Sequence, residues 1–181
     1  MELKKMFPIV VVCLVVLVDF SESNERKNKT LKSAICDALT TKACLMKIQR
    51  CSTSQRKCQV RVNGTTTTDP AARFTIVRVY KSTPNITKCI EVTSPSHVKY
   101  AMKVDSINSI IFEEQQNGCN NKTADAFIFT EARDSDSGYF TYTHNSRCLG
   151  TNIDGTLSLM TISDANTKKC SFKHIKWPLL R

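Results

Sequence analysis

The 181-residue chain lacks the short motifs by which enzymes and metal sites are usually recognised. It has no C-x-x-C pair, no H-E-x-x-H, no G-x-S-x-G and no phosphate-binding glycine loop. The three histidines, His97, His144 and His174, are scattered, so their spacing predicts no catalytic or metal-binding set. We therefore predict a protein that is not an enzyme, that needs no cofactor and no metal, and that acts through a binding surface.

The sequence has only one tryptophan, Trp177, and only one long apolar run. A single tryptophan argues against ricin-type lectins, which repeat a Q-x-W motif. The apolar run, residues 6–18, follows a basic start, and Ser21 and Ser23 fit a cleavage site after Ser23. This pattern predicts a signal peptide over residues 1–23 and a secreted, extracellular protein. The run is shorter than the roughly 20 residues of a membrane span, so we predict no membrane insertion.

Charge and cysteine content favour a secreted binding protein. Residues 24–181 carry 24 basic and 13 acidic residues, a net charge of +11, which favours a polyanionic partner. Once Cys13 leaves with the signal peptide, the cysteine count is even, which predicts disulfides in an oxidising compartment, without selecting their pairing. The predicted disulfide cysteines are Cys36, Cys44, Cys51, Cys58, Cys89, Cys119, Cys148 and Cys170.

Four N-x-[ST] sequences match the acceptor pattern for N-glycosylation in the same compartment. They lie in polar, turn-like stretches, so we predict a glycoprotein whose modified residues are exposed. The acceptor residues are Asn28, Asn63, Asn85 and Asn121.

From about residue 45, apolar and polar residues alternate in short segments, which is typical of half-buried strands. Roughly twelve such strands at 8–12-residue spacing predict an all-β barrel or sandwich. The turn residues Asn63, Asp105 and Asp154 lie 42 and 49 residues apart, which favours three four-stranded repeats and thus a pseudo-threefold β-trefoil. Asn63-Gly64 also predicts a hairpin turn, since both residues tolerate positive φ.

The segment before these strands has a different composition. Residues 24–33 are polar and basic and suggest a mobile tail, while Leu31, Ile35 and Leu39 recur at helical spacing and favour a short helix or turn. We therefore predict a signal peptide (residues 1–23), a short cysteine-rich N-terminal extension (24–44) and a β-trefoil domain (45–181).

One stretch carries a family resemblance. Phe129-Thr130-Glu131, a short polar loop and Gly138-Tyr139-Phe140-Thr141-Tyr142 resemble the F-x-E and G-Y-N-T-Y-like strands of the fibroblast growth factor family. Residues 59–65 resemble its D-G-containing hairpin, and residues 97–102 resemble its K-Y-L-A-M strand. Phe140 replaces the family's asparagine, and Phe127 replaces a family cysteine.

The resemblance implies a secreted growth factor that binds a receptor tyrosine kinase ectodomain with heparan sulfate as co-receptor. Glu131 and Tyr139 match receptor-contacting positions of the family, and Trp177 and Leu179 match its apolar C-terminal contacts. Aromatic anchors of this kind carry much of the energy of an interface.

The resemblance also implies a heparin-binding stretch, but residues 156–160, where it would lie, carry no positive charge. The nearest basic cluster provides the candidate heparin-binding lysines, which are Lys168, Lys169, Lys173 and Lys176. Lysines that protect a solvated strand edge are the alternative interpretation.

Other functions remain open within the same fold. An interleukin-1-like cytokine shares the trefoil and a similar aromatic pattern. A non-signalling binding module, either a lectin or a protease inhibitor, is the alternative from a different class, with residues 65–72 as a candidate inhibitory loop. We predict no nucleic-acid partner.

Overall fold

A computed structural model describes residues 26–34, 45–64, 73–79, 86–94, 96–105, 109–120 and 124–176. These residues form twelve β-strands, paired antiparallel in one sheet, and two short 3-10 helices, Asp125–Phe127 and Asp164–Asn166. The strands are β1 (Arg26–Ser33), β2 (Leu45–Ser52), β3 (Lys57–Gly64), β4 (Phe74–Val79), β5 (Thr87–Thr93), β6 (Lys99–Val104), β7 (Ile110–Glu114), β8 (Phe129–Arg133), β9 (Phe140–His144), β10 (Arg147–Thr151), β11 (Leu157–Thr161) and β12 (Ser171–Lys176). The predicted all-β class is confirmed. Within these ranges no helix is long and apolar enough to cross a membrane.

Six of the strands close a ring of pairings. β1 pairs with β4, β4 with β5, β5 with β8, β8 with β9, β9 with β12, and β12 with β1. The other six strands form three hairpins, β2–β3, β6–β7 and β10–β11. The order ring strand, hairpin, ring strand therefore occurs three times along the chain.

The three hairpins also contact one another. β3 pairs with β7, Ser109 bridges to Ser158 of β11, and the Val62 amide donates to the Gly155 carbonyl at 2.8 Å. Gly155 has a φ of +83°, and a Cβ atom there would lie 2.9 Å from the Val62 carbonyl oxygen. The close approach of the two hairpins therefore requires glycine at this position.

The main core lies inside the ring and beneath the hairpins. Every ring strand contributes a fully buried side chain to it because alternate residues of a strand face the same side. These side chains are Leu31, Phe74, Ile90, Phe129, Tyr142 and Phe172. Each buried apolar side chain of this size stabilises the fold by about 1.5–3 kcal/mol, so this layer holds the ring together.

The interpretation of residues 24–33 as a mobile tail is wrong for the residues described. Residues 26–33 form β1, which pairs with β2, β4 and β12, and Leu31 and Ser33 are fully buried. Leu31 thus belongs to a strand and not to the short helix that its spacing suggested. Residues 35–44, with Cys36 and Cys44, lie outside the described residues.

The predicted hairpin turn at Asn63-Gly64 is also wrong. Both residues belong to β3, which pairs with β2 and β7, whereas β4 pairs with β1 and β5. The turn that closes the β2–β3 hairpin is made by residues 53–56, where Arg56 has a φ of +53°. In the order of four strands, Asn63 lies at the end of a third strand, β3, whereas Asp105 and Asp154 follow second strands, β6 and β10. The three turns are therefore not equivalent.

Three disulfides are present in the described residues. Cys51–Cys58 joins the two strands of the β2–β3 hairpin, Cys89–Cys119 joins β5 to the segment after β7, and Cys148–Cys170 joins β10 to the residue before β12. The predicted disulfides are confirmed for these six cysteines.

Candidate functional site

Glu131, a predicted receptor contact, faces the inside of the ring. Its side chain is 11% exposed, and Lys88 Nζ lies 3.5 Å from its Oε1 atom. The Tyr142 hydroxyl donates a hydrogen bond to Glu131 Oε2 at 3.0 Å, because Tyr142 lies directly opposite Glu131 in the β8–β9 pair. The carboxylate is thus engaged within the protein, and its role in receptor binding stays a prediction.

His174 of β12 completes this arrangement. Its ring stacks on Phe140 with centroids 3.7 Å apart, and its Nε2 atom contacts the Tyr142 oxygen and lies 3.9 Å from Glu131 Oε2. Burial, together with the charges of Lys29, Lys88 and Arg133, lowers the His174 pKa from 6.5 to about 4. The imidazole is therefore neutral at pH 7. Because the phenol proton of Tyr142 points to Glu131, the imidazole nitrogen facing Tyr142 carries its hydrogen.

Burial and the charge of Glu131 raise the Tyr142 pKa well above its usual value, so the phenol stays protonated. Lys88, Glu131, Tyr142 and His174, here called the inner polar cluster, come from β5, β8, β9 and β12. The cluster links four ring strands through polar contacts. Across the described ranges, no three His, Cys, Asp or Glu side chains are grouped so that they could hold a metal ion.

Sequence reasoning missed three members of the inner polar cluster. Lys88 lies two residues before the core residue Ile90, and His174 lies two residues after the core residue Phe172. Because residues two apart on a strand face the same side, both side chains point to the inside of the ring. The pairing of β5 with β8 and of β9 with β12 brings them together, and no local pattern in the sequence encodes those pairings.

We expect the inner polar cluster to make stability fall as the pH drops from 6.5 towards 4. In this window the unfolded chain binds a proton at His174 that the folded chain does not, whereas above pH 6.5 the imidazole is neutral in both states. Urea unfolding of the wild type and of His174→Gln at pH 7 and pH 5 measures the effect. Allowing for solvent screening, the loss should be about 1 kcal/mol smaller in the variant.

The other two histidines, His97 and His144, are present in both proteins. The variant also keeps the charged and titratable groups around position 174, which are Lys29, Lys88, Glu131, Arg133 and Tyr142. The difference in stability loss between the two proteins therefore reports on His174. An equal loss of stability in the two proteins would contradict a neutral, buried His174.

Tyr139 and the C-terminal residues complete the predicted receptor surface. Tyr139 is half-buried just before β9; its carbonyl accepts from the Asp134 amide at 2.9 Å and its amide donates to Ser137 Oγ at 3.3 Å. The backbone of Tyr139 therefore closes the β8–β9 turn. Trp177 and Leu179 lie outside the described residues, and their roles stay predictions.

The predicted heparin-binding lysines lie before and on β12. Lys168 and Lys169 are in the turn after Asp164–Asn166, where the Lys169 carbonyl accepts from the Thr151 amide at 3.0 Å. Lys173 is exposed on β12, directly opposite Lys32 of β1. Lys32 and Lys173 on the paired strands, and Lys168 and Lys169 in the turn before β12, are here together called the terminal lysine surface.

Lys176 is directly opposite Lys29 in the β1–β12 pair. Because side chains alternate along a strand, positions 29 and 176 are on the face of Leu31 and His174, not on the face of Lys32 and Lys173. The backbone register therefore separates Lys176 from the terminal lysine surface.

The glycosylation sites are described in part. Asn63 is exposed at the end of β3, where its Oδ1 atom accepts from Gln49 Nε2 at 2.6 Å. Asn28 lies within β1, opposite Thr75 of β4. Asn85 and Asn121 lie outside the described residues.

Comparisons with known proteins identify similar folds only. No family model matches the chain, and no curated protein matches it. A GlcNAcα1-4Gal-releasing endo-β-galactosidase from Clostridium perfringens matches with a TM-score of 0.56 at 12% identity, over 83% of this chain and 32% of that one. The chain thus spans about a third of that enzyme.

A salivary protein from Culex quinquefasciatus, of the cysteine and tryptophan-rich family, matches with a TM-score of 0.51 at 10% identity. The match covers 84% of this chain and 94% of that one. At 10–12% identity, these two similarities show the fold and carry no activity over to this chain.

Proposed function

We propose that the chain is a secreted β-trefoil protein that acts by binding a sulfated glycan. The closed ring of six strands and the three hairpins, in a four-strand order that occurs three times, support the trefoil. Three disulfides support an oxidising compartment outside the cytosol. The net charge of +10 supports an anionic ligand.

The single observation that carries the proposal is the terminal lysine surface. Lys173 and Lys32 are directly opposite each other on paired strands, so their side chains project to the same face of the sheet. The pairing of β12 with β9 covers only Ser171 and Phe172 and ends before Lys173, so protection of a strand edge remains the alternative explanation for this lysine. A sulfate group placed beside the two lysine side chains would be attracted by both positive charges.

We expect Lys168→Ala/Lys173→Ala to elute from heparin at clearly lower salt than the wild type. Each lysine near an anionic surface contributes about 1 kcal/mol, so losing two should weaken binding at least tenfold. The measurement is elution from immobilised heparin in a salt gradient, with unfolding midpoints to show that the variants fold.

The matched control is Arg73→Ala/Arg133→Ala, which removes two exposed cations that lie outside the terminal lysine surface. If the wild type elutes no later than an unrelated protein of equal charge, the glycan-binding function is overturned. If both double variants shift equally, binding reflects net charge and not this surface.

The growth-factor function remains the second candidate. It is favoured by the resemblance of Phe129-Thr130-Glu131 and residues 138–142, and within these stretches residues 130–131 of β8 and 140–142 of β9 belong to paired strands. This function requires that a receptor tyrosine kinase ectodomain bind the chain and that Tyr139→Ala weaken that binding.

A further inference from the structure

The β2–β3 hairpin is unusually basic. Residues 45–64 contain five cationic side chains and no aspartate or glutamate. The cationic residues are Lys47, Arg50, Arg56, Lys57 and Arg61. None of these residues is among the predicted heparin-binding lysines, so the hairpin is a second cationic region.

Several polar side chains share one face of this hairpin. Lys57 and Gln59 are exposed, while the intervening Cys58 is buried. In the strand pair, Arg50 lies opposite Gln59 and Ser52 lies opposite Lys57. Residues directly opposite each other project to the same face of a sheet, so two cations and two polar residues converge there.

These residues line a groove of about 350 Å³, here called the hairpin groove. Arg50, Lys57, Ser52, Gln55 and Gln59 provide its polar wall, and Ile111 of the neighbouring strand β7 adds an apolar patch. The Cys51–Cys58 disulfide spans the two strands of the hairpin beside the groove. The backbone of the two strands is therefore held in place before a ligand arrives, which lowers the entropic cost of binding.

The nearby carboxylates are committed to other cations. Glu113 lies opposite Lys57, but its oxygens accept from Lys103 Nζ at 3.0 and 3.1 Å and from Gln115 at 3.1 Å. Glu114 pairs with Arg56 at 3.1 Å. The acids of β7 are thus paired beside the groove, while Arg50 and Lys57 line the groove itself.

Arg61 does not belong to the groove. It lies near Asp154, whose pKa is lowered chiefly by hydrogen bonds from Thr156, with a smaller contribution from Arg61. The positive charge of the groove therefore comes from Arg50 and Lys57, and these are the residues that a test should change.

We propose that the hairpin groove binds one anionic sugar unit of a sulfated glycan. Arg50 and Lys57 would hold a sulfate or carboxylate group, the Gln55 and Gln59 amides would meet sugar hydroxyls, and Ile111 would contact the apolar face of the ring. Ligand sites of this size place polar groups, which orient the ligand, beside an apolar surface. The inference rests on the proposed function, because that function supplies the class of ligand.

The test is a calorimetric titration of the full secreted chain with a sulfated heparin hexasaccharide, with sodium sulfate and an unsulfated hexasaccharide as separate ligands. We expect Arg50→Ala/Lys57→Ala to weaken hexasaccharide binding at least tenfold. Gln55→Ala/Gln59→Ala, which keeps the charge, should weaken hexasaccharide binding several-fold and leave any sulfate binding unchanged. All four positions are exposed, and urea unfolding verifies that each variant is folded.

The outcomes separate the two proposals. Wild-type affinity in Arg50→Ala/Lys57→Ala, with weakened binding in Lys168→Ala/Lys173→Ala, overturns the hairpin groove and leaves glycan binding intact. No binding by the wild type overturns both. If Arg50→Ala/Lys57→Ala weakens hexasaccharide binding and Gln55→Ala/Gln59→Ala does not, the sugar site is overturned, because the groove then attracts only an anion.

Discussion

Glu131→Gln should lower the free energy of unfolding by about 3 kcal/mol. The substitution keeps the size of the side chain but removes its charge, and the Glu131 and Lys88 side chains are only 11% and 14% exposed. Lys88 would then remain inside the ring without its carboxylate, in a region where the charges of Lys29 and Arg133 also act on His174. Leaving a charge buried and uncompensated is among the costliest effects of a single substitution.

Glu114→Gln is the matched control for this prediction. Glu114 pairs with Arg56 at 3.1 Å, closer than the 3.5 Å of the Lys88–Glu131 pair, but the Arg56 side chain is 63% exposed. Solvent screens an exposed pair, so the control should lose little stability despite its shorter distance. Urea unfolding of both variants measures the contrast.

A second arm tests whether the cost comes from the isolated charge. Lys88→Met combined with Glu131→Gln removes both charges, and this double variant should be more stable than Glu131→Gln alone. If Glu131→Gln and Glu114→Gln lower the free energy of unfolding equally, burial does not determine how much the Lys88–Glu131 pair stabilises the fold.

Alternation of apolar and polar residues located the strands that have one buried face. Leu157 and Leu159, for example, mark β11. β1 escaped prediction because its first five residues are all polar. Its strand conformation comes from backbone pairing with β4 and β12, which lie some 50 and 145 residues away in the sequence. The local pattern of side chains does not predict such long-range pairings.

The candidate site was predictable only in part for the same reason. Lys168, Lys169 and Lys173 are neighbours in the chain, so the sequence alone could group them. Lys32 joins them only because β1 pairs with β12. Glu131 was recognised by its family resemblance, but its contacts with Lys88 and His174 depend on ring pairings between distant strands.

Cys89→Ala/Cys119→Ala should lower the free energy of unfolding by about 4 kcal/mol. This disulfide closes a loop of 30 residues, and the stabilisation expected from loop entropy grows with loop length. Both cysteines are buried, and they pack with Val77, Ala101 and Phe127 in a second core cluster outside the main one. Alanine is used because a serine hydroxyl would be buried without a partner.

A polar contact docks the same segment beside the disulfide. The Cys119 amide donates to the buried Glu91 carboxylate at 2.6 Å. Gly118, with a φ of +56°, brings the backbone so close that a Cβ there would clash with Glu91 Oε2. Loss of the disulfide therefore also loosens a hydrogen bond to a charged group, which adds to the entropic cost.

Cys51→Ala/Cys58→Ala is the comparison that decides whether loop length sets the effect. That disulfide spans only 7 residues across an already paired hairpin, so its removal should cost about 2 kcal/mol. Urea unfolding with a constant m-value measures both double variants. If the short-loop variant loses as much stability as the long-loop variant, strain or packing at the cystines, and not closure of the 30-residue loop, dominates their contribution.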